Sequence, residues 1–245
     1  MCTLLALYRC HPQFPLVVAA NRDERLDRPA AGPGVIREAP RAIGGKDLVA
    51  GGTWLGLNAH GLFVAVTNRR GATADPARRS RGLLVLDALG LPNATEAARQ
   101  AARTAAQYNP FNLLLLGPEA GFVVVSEGSR TAVQPVDPGP VAITNGEPND
   151  RSIPNVARGL QELEALVNAP EPELITRLEA VCADHRQEDP AYPPFCLHHA
   201  PFGTVSSTLL LLRADGTGRY RFAPGPPCVT PYQEVPGLLP LTATP

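Results

Sequence analysis

Short apolar runs broken by turn residues dominate the chain, and their periods predict a mixture of strands and helices. Thr3–Arg9 and Leu16–Ala20 read as two strands joined by a Cys10–Pro15 turn. Residues 25–53, rich in Arg, Pro, Ala and Gly, show no sustained period and read as a long loop. Trp54–Asn58 and Leu62–Asn68 form a second predicted hairpin around Ala59-His60-Gly61, followed by an Arg-rich loop from Arg69 to Gly82. Leu83–Leu89 and Thr95–Gln107 predict helices, the second with Thr95 as its N-cap.

Phe111–Leu116, Gly121–Glu127, Arg130–Gln134 and Val141–Thr144 are strand-like. Ser152–Val167 and Pro172–His185 predict two further helices, the first with Pro154 near its start. Thr204–Leu212 and Gly218–Ala223 predict a last hairpin around Asp215-Gly216. This order contains no βαβ alternation and no repeat, which favours an α+β fold with antiparallel sheets over a doubly wound one. The expected organisation is a single domain over 1–245, with 224–245 as a Pro-rich tail wrapping the surface.

Composition narrows the function classes. A formal net charge of −1 argues against bulk nucleic-acid or anionic-membrane binding. No run approaches the roughly 18 apolar residues of a spanning helix, and Arg9 and His11 interrupt the apolar N-terminus, so no integral membrane association is expected. The cysteine count is 5, odd and irregularly spaced, as in a reducing, cytoplasmic setting rather than a disulfide framework.

The candidate chemistry begins at Cys2. Removal of Met1 leaves a thiol and a free α-amine on one carbon, so the residue can act as its own nucleophile and base. An α-amine titrates near ~8 and a thiol near ~8.5, which makes proton transfer between them nearly isoenergetic. Asp23, near the far end of the second strand, is placed to hold that ammonium or orient the thiol. Asn68 and Asn145 end strands and can aim donors at the same rim as an oxyanion hole. Taken singly, Asn and Asp at strand ends are ordinary turn formers, and Cys2 a small apolar residue.

Cys2, Asn21-Arg22-Asp23-Glu24, Gly51-Gly52-Thr53-Trp54-Leu55-Gly56 and Ser80-Arg81-Gly82 together resemble the NRDE, or transport-and-Golgi-organisation, family. That family in turn resembles the cysteine N-terminal-nucleophile hydrolases, which include penicillin V acylases and bile-salt hydrolases. The resemblance implies a four-layer αββα sandwich of two antiparallel sheets. It also implies Cys2 as nucleophile, Asp23 as its orienting group, and Asn145 and Asn68 as oxyanion donors. The hydrolases carry an Arg where this chain has Ala20; Arg22, on the same strand face, is the candidate substitute. Val205 stands where the NRDE pattern has a basic residue.

Two functions follow. One is hydrolysis or acyl transfer on a small amide, ester or thioester, with Asn21, Arg22, Trp54, Arg79 and Arg81 as substrate-binding candidates. The other is a non-catalytic carrier of haem or acyl-CoA, with the anion on the loop of Arg69, Arg70, Arg78, Arg79 and Arg81. No cofactor is expected beyond haem as a transported ligand. No metal is expected either: His198 and His199 are adjacent on an extended segment and point to opposite sides, so Cys196-Leu197-His198-His199 reads as structural.

Overall fold

A computed structural model describes residues 2–70, 74–187 and 189–241, with Cys2 described by its backbone alone. The first half contains β1 (Cys2–Tyr8), β2 (Leu16–Arg25), β3 (Ala30–Glu38), β4 (Arg41–Asp47), β5 (Leu55–Asn58) and β6 (Phe63–Asn68). Helices α1 (Arg81–Ala88) and α2 (Ala94–Thr104) follow, then a 3₁₀ turn over Ala105–Gln107. Next come β7 (Phe111–Leu116), β8 (Gly121–Ser126), β9 (Thr131–Val136) and β10 (Gly139–Ile143). Helices α3 (Pro154–Leu166) and α4 (Glu171–Cys182) precede β11 (His198–His199), β12 (Phe202–Leu212), β13 (Gly218–Ala223) and β14 (Gln233–Glu234). The class is α+β with two antiparallel sheets, as expected.

The chain divides into two compact units, and the second is inserted into the first. Unit one holds the described residues of 1–28 and 138–239; unit two holds those of 29–137. In unit one the strand order is β10-β1-β2-β12-β13-β14, with β11 on the edge of β12. Leu5, Leu7, Val17, Ala19, Leu209 and Leu211 share one sheet face and pack with Val156, Leu160, Leu163, Leu174 and Leu178 of α3 and α4. The alternate residues Leu4, Ala6, Val18, Ala20 and Leu210 are buried as well, so these strands are apolar on both faces.

Unit two is a seven-stranded meander, β3 through β9 in chain order. Its helices lie on one face: Ala97, Ala98 and Ala101 of α2 and Leu84 and Val85 of α1 pack with Val64, Leu113, Leu115 and Val124. The small α2 residues let the helix sit close to the sheet. Its cap is Asn93 rather than Thr95: the Glu96 N–H donates to Asn93 Oδ1 at 2.9 Å.

Two regions differ from the sequence reading. Residues 25–53 are not a loop, because β3 and β4 pair across them with two register shifts. β3 is an edge strand, mostly exposed or half-buried and interrupted by Pro33 and Gly34, so it has no apolar alternation to read. β2 runs to Arg25 rather than stopping at Ala20, which puts Asn21-Arg22-Asp23-Glu24 inside a strand.

Candidate functional site

Backbone register assembles the site in unit one. β1 pairs with β2 so that Cys2 lies opposite Arg22 and Thr3 opposite Asn21. β12 continues the row, with Ser206 opposite Arg22 and Thr204 opposite Asp23. On the other side, β10 places Ile143 opposite Leu4. Asn145 lies two residues past the end of β10, in the loop that follows it. Neighbouring strands lie about 4.8 Å apart, so Cys2, Arg22 and Ser206 form one cross-strand row. Asp23 falls one residue beyond Arg22, and so one step past Cys2 on the side of its amine.

Val205, where the NRDE pattern has a basic residue, is the extra residue of a β-bulge: β12 takes two steps from Thr204 to Ser206 while β2 takes one. The bulge lets Thr204 and Ser206 serve β2 residues that alternate between faces. Thr204 Oγ1 donates to Asp23 Oδ1 at 2.6 Å and accepts the Leu197 N–H at 2.9 Å. Asp23 is only 5% exposed. Burial pushes its carboxyl up to about 7, against the lowering effect of the Thr204 hydroxyl. A carboxyl poised there can hold a cation or release a proton near neutral pH.

Arg22 is also 5% exposed, a buried cation in the row of Cys2. Ser206, which sequence reading did not single out, is buried beside it, and its Oγ has no hydrogen-bond partner among the described residues. Asn145 is buried in a loop that folds back on β10. Ala142 N–H donates to Asn149 Oδ1 at 2.8 Å, and Asn149 N–H to the Ala142 carbonyl at 2.9 Å. Gly146 keeps this turn tight, since a Cβ there would lie 2.5 Å from Ile153 Cδ1.

Asn21 lies on the helix side of the sheet, and its amide donates to the carbonyls of Cys182 and Phe195 at 2.8 and 2.9 Å. Asn68, the exposed last residue of β6, belongs to unit two, as do Trp54, Arg79 and Arg81. The Trp54 ring fills the space above Gly45, where a Cβ would lie 2.2 Å from it. Arg79 donates to Asp87 and to the Tyr108 hydroxyl, and Arg81 to the Pro110 carbonyl at 3.0 Å. Arg69 bonds Asn112 and Glu127, and Arg78 bonds the carbonyls of Ala106 and Tyr108. The basic loop is thus stapled to its own unit; its residues 71–73 lie outside the described residues. Groups able to hold a metal, His185, Cys196, His198 and Cys228, lie together in a separate cluster of unit one.

The profile of the family described as "Transport and Golgi organisation 2" matches residues 1–222. The chain belongs to that family. Among curated relatives, the Transport and Golgi organization protein 2 homolog of Bos taurus is 29% identical over 83% of this chain and 84% of its own. The Mus musculus homolog is 27% identical with the same coverage. The tetrapeptide that names the NRDE pattern is therefore, in this family member, the segment that lines Arg22 and Asp23 up with Cys2.

Solved structures show the fold. A Caenorhabditis elegans ortholog of N-acylethanolamine-hydrolyzing acid amidase superposes with a TM-score of 0.56, at 16% identity, over 86% of this chain and 92% of that one. The C2A mutant of conjugated bile acid hydrolase from Clostridium perfringens gives 0.57, at 11% identity, over 96% of both chains. These are N-terminal-nucleophile hydrolase folds, and this family member shares their architecture. Among the described residues no helix is long and apolar enough to cross a membrane.

Proposed function

We propose that this protein is an N-terminal cysteine hydrolase or acyltransferase acting on a small amide, ester or thioester. The observation that supports the proposal is the register that sets Cys2 opposite Arg22 and puts Asp23 one residue past that pair. With Met1 removed, the Cys2 thiolate attacks the carbonyl carbon while the α-amine takes the thiol proton. Asn145 donates to the oxygen as it becomes negative. The tetrahedral adduct collapses, the leaving group takes the proton from the ammonium, and an acyl-thioester remains on Cys2. Water attacks the thioester and gives its proton to the amine, the C–S bond breaks to release the acid, and the Cys2 sulfur takes that proton back; an amine acceptor in place of water gives transfer instead.

Each neighbour has a matching task. Asp23 stabilises the ammonium, which is the form the α-amine takes after it accepts the proton. Arg22 supplies positive charge in the row of the thiolate. The carrier reading for haem or acyl-CoA needs free basic groups at Arg79 and Arg81, and the bonds those residues make within unit two favour it less.

Intact mass of the purified protein, before and after incubation with N-acyl amide, ester and thioester panels, tests the proposal. The expected result is loss of Met1 followed by an acyl adduct on Cys2, with Cys2→Ala reducing turnover by at least ~10³-fold while substrate binding persists. Retained Met1, or processed protein with no adduct and no turnover across the panels, would sink the enzyme reading.

A further inference from the structure

Four side chains unused by that chemistry converge at one place in unit one. His185 follows α4, Cys196 and His198 flank Leu197 ahead of β12, and Cys228 lies in the Pro-rich segment after β13. One ligand atom from each falls within 4.8 Å of all the others. The Cys196 and Cys228 sulfurs are 3.7 Å apart. His198 Nε2 lies 3.8 Å from Cys196 Sγ and 3.2 Å from Cys228 Sγ.

These lengths carry information. A tetrahedral zinc with sulfur at about 2.3 Å and nitrogen at about 2.0 Å has ligand–ligand edges of roughly 3.3–3.8 Å. The three edges among Cys196, His198 and Cys228 lie on or next to that range. A disulfide would need its sulfurs at about 2.05 Å, so the pair here is in contact and not bonded. The four cysteines whose side chains are described are free thiols.

The surroundings fit a ligand set. His185 Nδ1 lies 3.1 Å from the Cys196 carbonyl, which can only accept, so Nδ1 carries the proton and Nε2 keeps the lone pair. Ligating histidines are fixed in this way by the bond that their other nitrogen donates. Cys196 is fully buried and anchored through its N–H to the Asp184 carbonyl at 2.9 Å. His185 and His198 are exposed, which leaves a way in for an ion. The sequence expectation of no metal here rested on His198 and His199 diverging, and the cluster uses only His198.

We propose that His185, Cys196, His198 and Cys228 bind one zinc(II) ion in a closed, structural Cys₂His₂ site. The two thiols release their protons as they become thiolates, and no electron transfer is involved. Four protein ligands leave no open position for substrate. The ion ties the end of α4, the approach to β12 and the C-terminal segment to one point. Leu197, between two ligands, exchanges both of its backbone polar groups with Thr204, at 2.8 and 2.9 Å. Thr204 in turn holds Asp23. The metal thereby fixes the strand that positions the buried carboxyl.

The test uses the full-length protein, reduced and purified without chelator. Elemental analysis is expected to find about one zinc per chain. After zinc removal, cobalt(II) should bind with tetrahedral d–d bands and a thiolate-to-cobalt charge-transfer band. Cys196→Ser and Cys228→Ser should each weaken cobalt binding by at least ~10–100-fold. His199→Ala should leave it unchanged. Cys228→Ser removes a half-buried side chain outside the sheets, and its circular dichroism separates lost binding from lost folding. Reduced wild-type protein that binds no cobalt, a spectrum without the charge-transfer band, or equal affinity in folded Cys228→Ser would overturn the site. A Cys196–Cys228 disulfide that persists under reductant would overturn it too.

Discussion

Asp23 shows how a single buried carboxyl can set both stability and rate. Burial penalises its charge and pushes the carboxyl up to about 7, above the ordinary value of 3.8. The folded state therefore holds this proton more tightly than the unfolded state. The penalty is absent below about pH 4, grows as pH rises to about 7, and is constant above. Asp23→Asn keeps an acceptor for Thr204 and removes the ionisation. Its stability relative to wild type should rise between about pH 4 and about pH 7, by at most about 4 kcal/mol. Urea unfolding at the two ends of that window checks this, and a flat difference would refute it. If the ionised carboxylate holds the ammonium, turnover of the wild-type enzyme should also climb through an apparent pKa near 7, and Asp23→Asn should lose that limb. Arg22→Met should lower turnover by roughly 10–100-fold at saturating substrate with little loss of fold, because its charge rather than its packing serves the thiolate. A matching fall in thermal midpoint would instead assign Arg22 a structural role.

Strands and helices give some recognition motifs a packing role. Gly51-Gly52-Thr53-Trp54 and Ser80-Arg81-Gly82 meet each other. A Cβ on Gly52 would lie 2.2 Å from the Gly82 backbone, and the Thr53 N–H donates to the Gly82 carbonyl at 3.0 Å. Gly52→Ala should thus cost roughly 2–4 kcal/mol. Gly51→Ala meets open space and bears only the strain of φ +75°, about 1 kcal/mol. Denaturant midpoints of the two variants should separate clearly; similar values would refute the contact. The same elements show what a sequence can convey. β7 and β13 were legible to the residue because apolar runs met clear turns. β3 and β4 were not, because Gly44 and Gly45 are chosen for close approach to Leu55 and Trp54 rather than for strand propensity. Cys2, Asp23 and Asn145 could be nominated as residue types. The row that joins Cys2 to Arg22 and Ser206 depends on pairing between distant strands and a bulge at Val205, which local pattern does not encode. His185 and Cys228 lack metal-motif spacing, so only the fold could bring them to Cys196.

At the scale of the whole molecule, residues 224–239 belong to unit one although the family match ends at residue 222. Tyr232 bonds Ser207, Glu234 bridges Arg219 and Arg221, and β14 covers the edge of β13. A chain ending at Ala223 should lose on the order of 3 kcal/mol, which lowers the thermal midpoint by about 6–12 °C in a protein of this size. An unchanged midpoint would return the tail to the role of a surface wrap. The insertion of unit two has a further consequence, in time rather than space. β2 takes its second neighbour from β12, which begins at Phe202, so the strand beside the nucleophile stays unpaired on one side until most of the chain has been made. At 5–20 residues per second that interval is roughly 10–40 s. On the proposed function, which needs Met1 removed, that interval is when a processing peptidase is expected to act, so that maturation of Cys2 precedes closure of the sheet around it. Ribosome-bound chains halted before residue 202 should already lack Met1; chains that keep it until release would show that processing follows folding.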